Sequence, residues 1–166
     1  RLDNGDGGGT AANGQLESGE VDYSITHCST YGFGLLKDIN AGPGGVHYEF
    51  EPVEAHKSGS LAYFFADDGT HGNELWITDG TASGTEIVMD INTGSSGSIH
   101  WHDIQSFATV GSTVFFTASN GDDGRELWKT DGTASGTEMV KDIRSGSLPG
   151  DPFSLFAFGS EVFFWS

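Results

Sequence analysis

The sequence predicts an all-β fold of four-stranded, β-propeller-like blades, and three observations predict it. One phrase is written twice, Glu74 to Glu86 and Glu126 to Glu138, at an offset of 52 residues. Over 74–92 and 126–144, 15 of 19 positions are identical. A fixed period of this size marks a chain built from copies of one unit. Each copy is a series of short Val-, Phe- and Thr-rich runs divided by Gly- and Asp-containing turns, the pattern of antiparallel strands. No stretch keeps helical periodicity over several turns. A β-sandwich and a linear β-solenoid are the competing architectures.

Four strands are expected in each copy. In the best-preserved one the first covers Gln105 to Val110, and Gly111-Ser112 turns the chain. The second is Thr113 to Ala118, rich in the Val and Phe that strands favour. Ser119 to Gly124 is a polar loop, and Arg125 to Thr130 is the third strand. Asp131-Gly132 opens a hairpin loop. Thr137 to Ile143 is the fourth. The spacing thus predicts strands near 61–66, 73–78, 85–91, 113–118, 125–130 and 137–143.

The period reaches beyond the phrase. Leu36-Lys37-Asp38-Ile39, Val88-Met89-Asp90-Ile91 and Val140-Lys141-Asp142-Ile143 are in step, followed by Gly42, Gly94 and Gly146. Residues 151–166 match 103 onward at an offset of 48, which places a four-residue deletion between 146 and 151. We read 1–20 as a Gly/Asn-rich lead-in and 21–166 as one repeat domain. The domain divides into a decayed copy 21–45, copies 46–97 and 98–146, and a partial copy 147–166. In the decayed copy a shift of 52 puts Ile25-Thr26 under Ile77-Thr78. Ser24, His27-Cys28 and Ser29 then replace the Trp, Asp-Gly and Thr positions.

The chain therefore opens on strands three and four of a blade and closes on strands one and two of another. The apolar run Phe163-Phe164-Trp165 at an exposed edge invites association. Pairing of the two ends within one chain would leave three blades, too few for an ordinary ring. Self-association, a neighbouring chain or a continuation of this chain is expected to complete the pairing.

The 166 residues suffice for a compact domain. A net charge of −17 leaves no basic patch for nucleic acid and disfavours an anionic membrane surface. No apolar run approaches membrane-spanning length. One cysteine, Cys28, rules out an internal disulfide framework.

The repeated Glu-Leu-Trp-x-x-Asp-Gly-Thr with its following Gly-Thr-x-x-Val-x-Asp-Ile resembles the ELWxxDGT repeat. The match is complete over 59–94 and 111–146, and partial over 31–42 and 151–166. The resemblance implies large secreted or surface proteins, propeller-like copies in arrays and extracellular or cell-surface display. It carries over no catalytic residue.

Several residues are chemical candidates. Asp68, Thr70 and Glu74, and their counterparts Asn120, Asp122 and Glu126, place oxygens at alternate positions of a loop. A compact calcium loop supplies its oxygens in this way, and a solvated turn ahead of a Glu-initiated strand is the alternative. Asp79 and Asp131 read as turn formers, each before a Gly at positive φ. Trp76 and Trp128 read as packing between blades, with sugar stacking as the alternative. His100 and His102 would share one face of a strand, and such a pair can hold zinc or copper. Two ligands do not complete a site. Cys28 beside His27 is not a catalytic pair, because strand neighbours point to opposite faces.

The expected function is a non-enzymatic extracellular repeat module for structural assembly or for protein or surface interaction, with calcium as its one candidate cofactor. The second reading is a lectin-like, glycan-binding module using exposed aromatics. The third is a metal-dependent enzyme using His100 and His102.

Overall fold

A computed structural model describes the backbone of residues 24–29, 32–40, 55–99 and 107–166, and within these ranges the side chains from Leu36 onward. The lead-in 1–20, Gly42, and His100 and His102 lie outside the described residues.

The described chain forms twelve strands and one short 3-10 turn, Ala134–Gly136. The strands are β1 Ser24–Ser29, β2 Gly32–Asp38, β3 His56–Ser58, β4 Leu61–Asp67, β5 Asn73–Thr78 and β6 Glu86–Met89, then β7 Phe107–Val110, β8 Thr113–Ser119, β9 Arg125–Thr130, β10 Glu138–Lys141, β11 Phe153–Phe158 and β12 Glu161–Trp165. They make two complete four-stranded antiparallel meanders, β3-β4-β5-β6 and β7-β8-β9-β10, flanked by the hairpins β1-β2 and β11-β12. Among the described residues the sheets close into no ring or barrel.

The two complete sheets share one register. Phe64 lies across from Trp76 and Phe116 across from Trp128. The fourth strands are shorter than 85–91 and 137–143. Ile91 and Ile143 turn their backbone N–H groups to the Glu74 and Glu126 carboxylates instead of continuing as strands.

Side-chain alternation gives each sheet two apolar faces, and sheets stack in chain order. Ile39 at the end of the first hairpin packs with Phe64 and Trp76. The other face of that sheet, with Tyr63, Phe65, Leu75 and Ile77, meets Val114, Phe116 and Trp128 of the next. The far face of the third sheet, with Ala108 and Leu127, is covered by Leu155 of the last hairpin. Between the second and third sheets, Phe107 lies 5.5 Å from Phe65 and 5.3 Å from the stacked His56 ring. His56 Nε2 is 2.8 Å from Thr109 Oγ1. Burial holds His56 below the ordinary histidine range.

Two alignments read from the sequence are corrected. Thr26 lies across from Leu35 and Ile25 across from Lys37, with a bulge between Ile25 and Thr26. Trp76 lies across from Ile87 and Leu75 across from Met89, with the same bulge. The fourth strand keeps the 52-residue period, but the third has slid by two residues over a tighter hairpin. Thr26, not Ser24, holds the tryptophan position, and Cys28 holds that of Thr78. The shortening in the last copy also lies later than 146–151. Ser98 N bonds Asn73 O just as Asp151 N bonds Arg125 O, so at these residues the last copy is one residue longer than the period rather than shorter. The pairs Ala108 with Phe115 and Phe156 with Phe163 stand at the 48-residue offset.

Candidate functional site

The repeated residues come together mainly as braces of the unit. Asp79 Oδ1 accepts from Thr81 N at 2.8 Å and Thr81 Oγ1 at 2.7 Å. Asp131 Oδ1 accepts from Thr133 N at 3.0 Å and Thr133 Oγ1 at 2.7 Å. Those threonine hydroxyls, with the backbone bonds behind them, hold both carboxyls below the usual aspartate range. Gly80 and Gly132 adopt φ of 88° and 95°, which their turns require. Beneath each turn a buried hydroxyl pair, Thr78 with Thr85 and Thr130 with Thr137, closes at 2.7 Å. A Cβ on Gly84 or Gly136 would stand 2.1 Å from the aspartate oxygen. That close approach explains the glycine of Gly-Thr-Glu.

Trp76 and Trp128 are both buried. Trp76 Nε1 donates to the Ala66 carbonyl at 3.1 Å, and Lys37 Nζ lies 5.8 Å from its ring centre. Lys37 Nζ also donates to the Thr85 carbonyl, tying the first hairpin to the second sheet. Trp128 Nε1 is buried without a hydrogen-bond partner among the described residues.

The loop candidates separate. Asp68 Oδ1 accepts from Thr70 N and His71 N, and its Oδ2 meets His71 Nδ1 at 2.7 Å. That hydrogen bond raises His71 above the ordinary histidine range. Asn120 Oδ1 accepts from Asp122 N and Asp123 N. The two glutamates are fully buried and serve the backbone instead. Glu74 accepts from Ile91 N and Asn92 N, each at 3.1 Å. Glu126 accepts from Ile143 N at 2.8 Å and Gly150 N at 2.7 Å. The glutamates therefore clamp the exit of the fourth strand, a use the sequence reading did not identify. Its one available signal was a charged residue recurring at the start of an otherwise apolar strand.

A different pair of atoms recurs with an open valence. Asp90 Oδ1 and Asp142 Oδ1, equivalent in the two copies, are buried and have no hydrogen-bond partner among the described residues. Among the described residues no three His, Cys, Asp or Glu side chains form a metal-holding group.

Among the described residues, four exposed large aromatics share the outer face of the β11-β12 hairpin. Phe156 is 62% exposed, Phe158 and Trp165 are each 70% exposed, and Phe163 is 51% exposed. With Ser154 and Phe164, three of these residues (Phe156, Phe163 and Trp165) line an open groove of ≈ 370 Å³. Ser154 stands at φ 54° beside the register shift of β11. Patches of this kind mark interaction sites.

No family model, curated protein or solved structure matches this chain. The ELWxxDGT resemblance thus rests on the residues themselves.

Proposed function

We propose that the chain is an extracellular, propeller-type repeat module for structural assembly, whose working surface is the aromatic face of β11-β12. One observation carries the reading. The residues shared by the two copies are spent on holding the unit together, while four large aromatics stand bare on one sheet face. Glu74, Trp76, Asp79 and Thr85 and their counterparts have partners or packing within the repeat. The two four-stranded meanders and their face-to-face stacking support the blade reading. The motif resemblance and the −17 charge support display in a solvent-exposed, extracellular setting.

The test is a double substitution, Phe156→Asp with Trp165→Asp. It is expected to leave the far-ultraviolet circular dichroism unchanged and to lower the sedimenting mass from above the 17.5 kDa of one chain to that of a monomer. A wild-type protein that sediments as a monomer, with Trp165 emission quenched by oligosaccharide, would replace this reading with the lectin-like one.

A second reading, calcium stabilisation, is favoured by the orphan oxygens of Asp90 and Asp142. Buried carboxylate oxygens without partners are uncommon, and calcium draws on backbone carbonyls and water as well as carboxylates. Calcium added to chelated protein is expected to raise the thermal midpoint, and to raise it less in Asp90→Asn with Asp142→Asn. Equal midpoints with calcium and with chelator in the wild type would end this reading.

A further inference from the structure

The loops joining β4 to β5 and β8 to β9 are built alike but from swapped chemistry. In the second sheet Asp68 Oδ1 accepts from Thr70 N and His71 N, and its Oδ2 faces His71 Nδ1 at 2.7 Å. In the third, Asn120 Oδ1 accepts from Asp122 N at 3.0 Å and Asp123 N at 2.9 Å. Asn120 Nδ2 donates to Asp123 Oδ2 at 2.8 Å. Asn120 stands 52 residues after Asp68, and Asp123 stands 52 after His71. An anion facing a histidine has become an amide facing an anion.

Asn120 is followed by Gly121, the one Asn-Gly pair among the described residues. Gly121 adopts φ 90°, and a Cβ there would stand 2.7 Å from Asn92 Oδ1 of the preceding sheet. Glycine is thus required, and it leaves the Gly121 nitrogen with no side chain beside it. Gly121 is exposed, and its N–H donates to the Ser119 hydroxyl at 3.1 Å. The two N–H groups on Asn120 Oδ1 do more than close the turn. They sit where negative charge collects when a nucleophile adds to Asn120 Cγ, the arrangement of an oxyanion hole.

We propose that Asn120 is a self-modification site, at which the Gly121 nitrogen displaces the Asn120 side-chain amide and the N–H groups of Asp122 and Asp123 promote the step. Gly121 N bonds to Asn120 Cγ as the Cγ–Nδ2 bond breaks. Nδ2 leaves as ammonia, and the proton that Gly121 N gives up reaches it through water. Water then opens the resulting succinimide. Addition at Cγ leaves aspartate, and addition at the Asn120 main-chain carbonyl leaves β-linked isoaspartate. Asp68 shows that aspartate fits this turn, but the second sheet offers it a histidine. At 120 the new carboxylate would face the Asp123 carboxylate across what is now a 2.8 Å hydrogen bond, and like charges this close repel. The loop abuts Asn92, so its opening loosens the third sheet from the second.

The wild-type chain is held at mildly alkaline pH, folded and in parallel unfolded in urea, then digested and mapped by chromatography and mass spectrometry. The peptide carrying Asn120 is expected to pass into aspartyl and isoaspartyl forms at least as fast in the folded chain as in urea. Asn73 and Asn92, followed by Glu74 and Thr93, are expected to keep their amides in the folded chain. Slower conversion of Asn120 in the folded chain would show that the loop shields it and overturn the proposal. The swapped chemistry supplies a second arm. Asn120→Asp is expected to lower the thermal midpoint by about 2–4 °C, and Asp123→His added to it is expected to restore the midpoint. A midpoint unchanged by Asn120→Asp, or not restored by Asp123→His, would overturn the charge clash as the consequence of the modification.

Discussion

Replacing Glu126 with alanine is expected to destabilise the protein by about 2–6 kcal/mol, although the side chain touches neither a ligand nor an ion. The carboxylate receives the N–H groups of Ile143 and Gly150 and is closed to water. A buried donor left without an acceptor costs roughly 1–3 kcal/mol, and alanine leaves two. Gly150 allows the approach, since a Cβ there would stand 2.5 Å from Glu126 Oε2. Glutamine is not expected to rescue, because its amide would turn a donor toward one of the two N–H groups. Urea denaturation of Glu126→Ala and Glu126→Gln checks this, and a loss under about 1 kcal/mol in both would show that the clamp is dispensable.

Glu74→Ala should show the same loss with a pH signature. Burial pushes the Glu74 carboxyl up to about 7, against the opposing pull of the Ser98 hydroxyl and the Asn92 and Ile91 N–H groups. A carboxyl whose folded pKa lies above its unfolded value of 4.5 holds its proton more tightly in the native state. Its contribution is fully present below about 4.5 and is lost as pH rises through about 7. At about 1.4 kcal/mol per unit, that is up to roughly 3 kcal/mol across the window. In Glu74→Ala this part of the slope should vanish, and a wild-type stability that rises over the same range would contradict the assignment.

The strands were legible in the sequence because their signals are local. Val114, Phe115 and Phe116 before a polar loop, and Asp131-Gly132 after Trp128, each fix a strand or a turn within a few residues. The paired positions of the two complete copies were legible because the phrase repeats without a gap. The first copy was misaligned because its hairpin lost residues where no identity remained to show it. Only the strand pairing reveals that Thr26 sits across from Leu35. The loops were only partly legible for another reason. Alternating oxygens at 68, 70 and 74 look the same in a sequence whether they converge or part. Glu74 lies in a strand, and the backbone N–H groups it accepts from are 17 and 18 residues away. The face of Phe156 and Trp165 was only half legible. An apolar run signals a strand, but which of its faces packs on the third sheet depends on contacts with residues far away in the sequence.

Trp76→Ala and Trp128→Ala are each expected to cost about 3–5 kcal/mol, the range for truncating a buried aromatic. Both rings face the preceding sheet, Trp128 in the cluster between the two complete sheets and Trp76 against Ile39. The phenylalanine variants should separate the two sites. Trp76 donates to the Ala66 carbonyl at 3.1 Å, so Trp76→Phe loses ring area and a hydrogen bond. Trp128 Nε1 is buried with no partner among the described residues, so Trp128→Phe loses area but removes an unsatisfied donor. Since a neutral hydrogen bond contributes about 1 kcal/mol, Trp128→Phe should be the milder change by about that amount. Equal losses in the two phenylalanine variants would mean that the Trp128 N–H has a partner after all. A loss below about 1 kcal/mol in either alanine variant would mean that the indole is not part of the packing between sheets, and the stacked-blade reading would lose its main support.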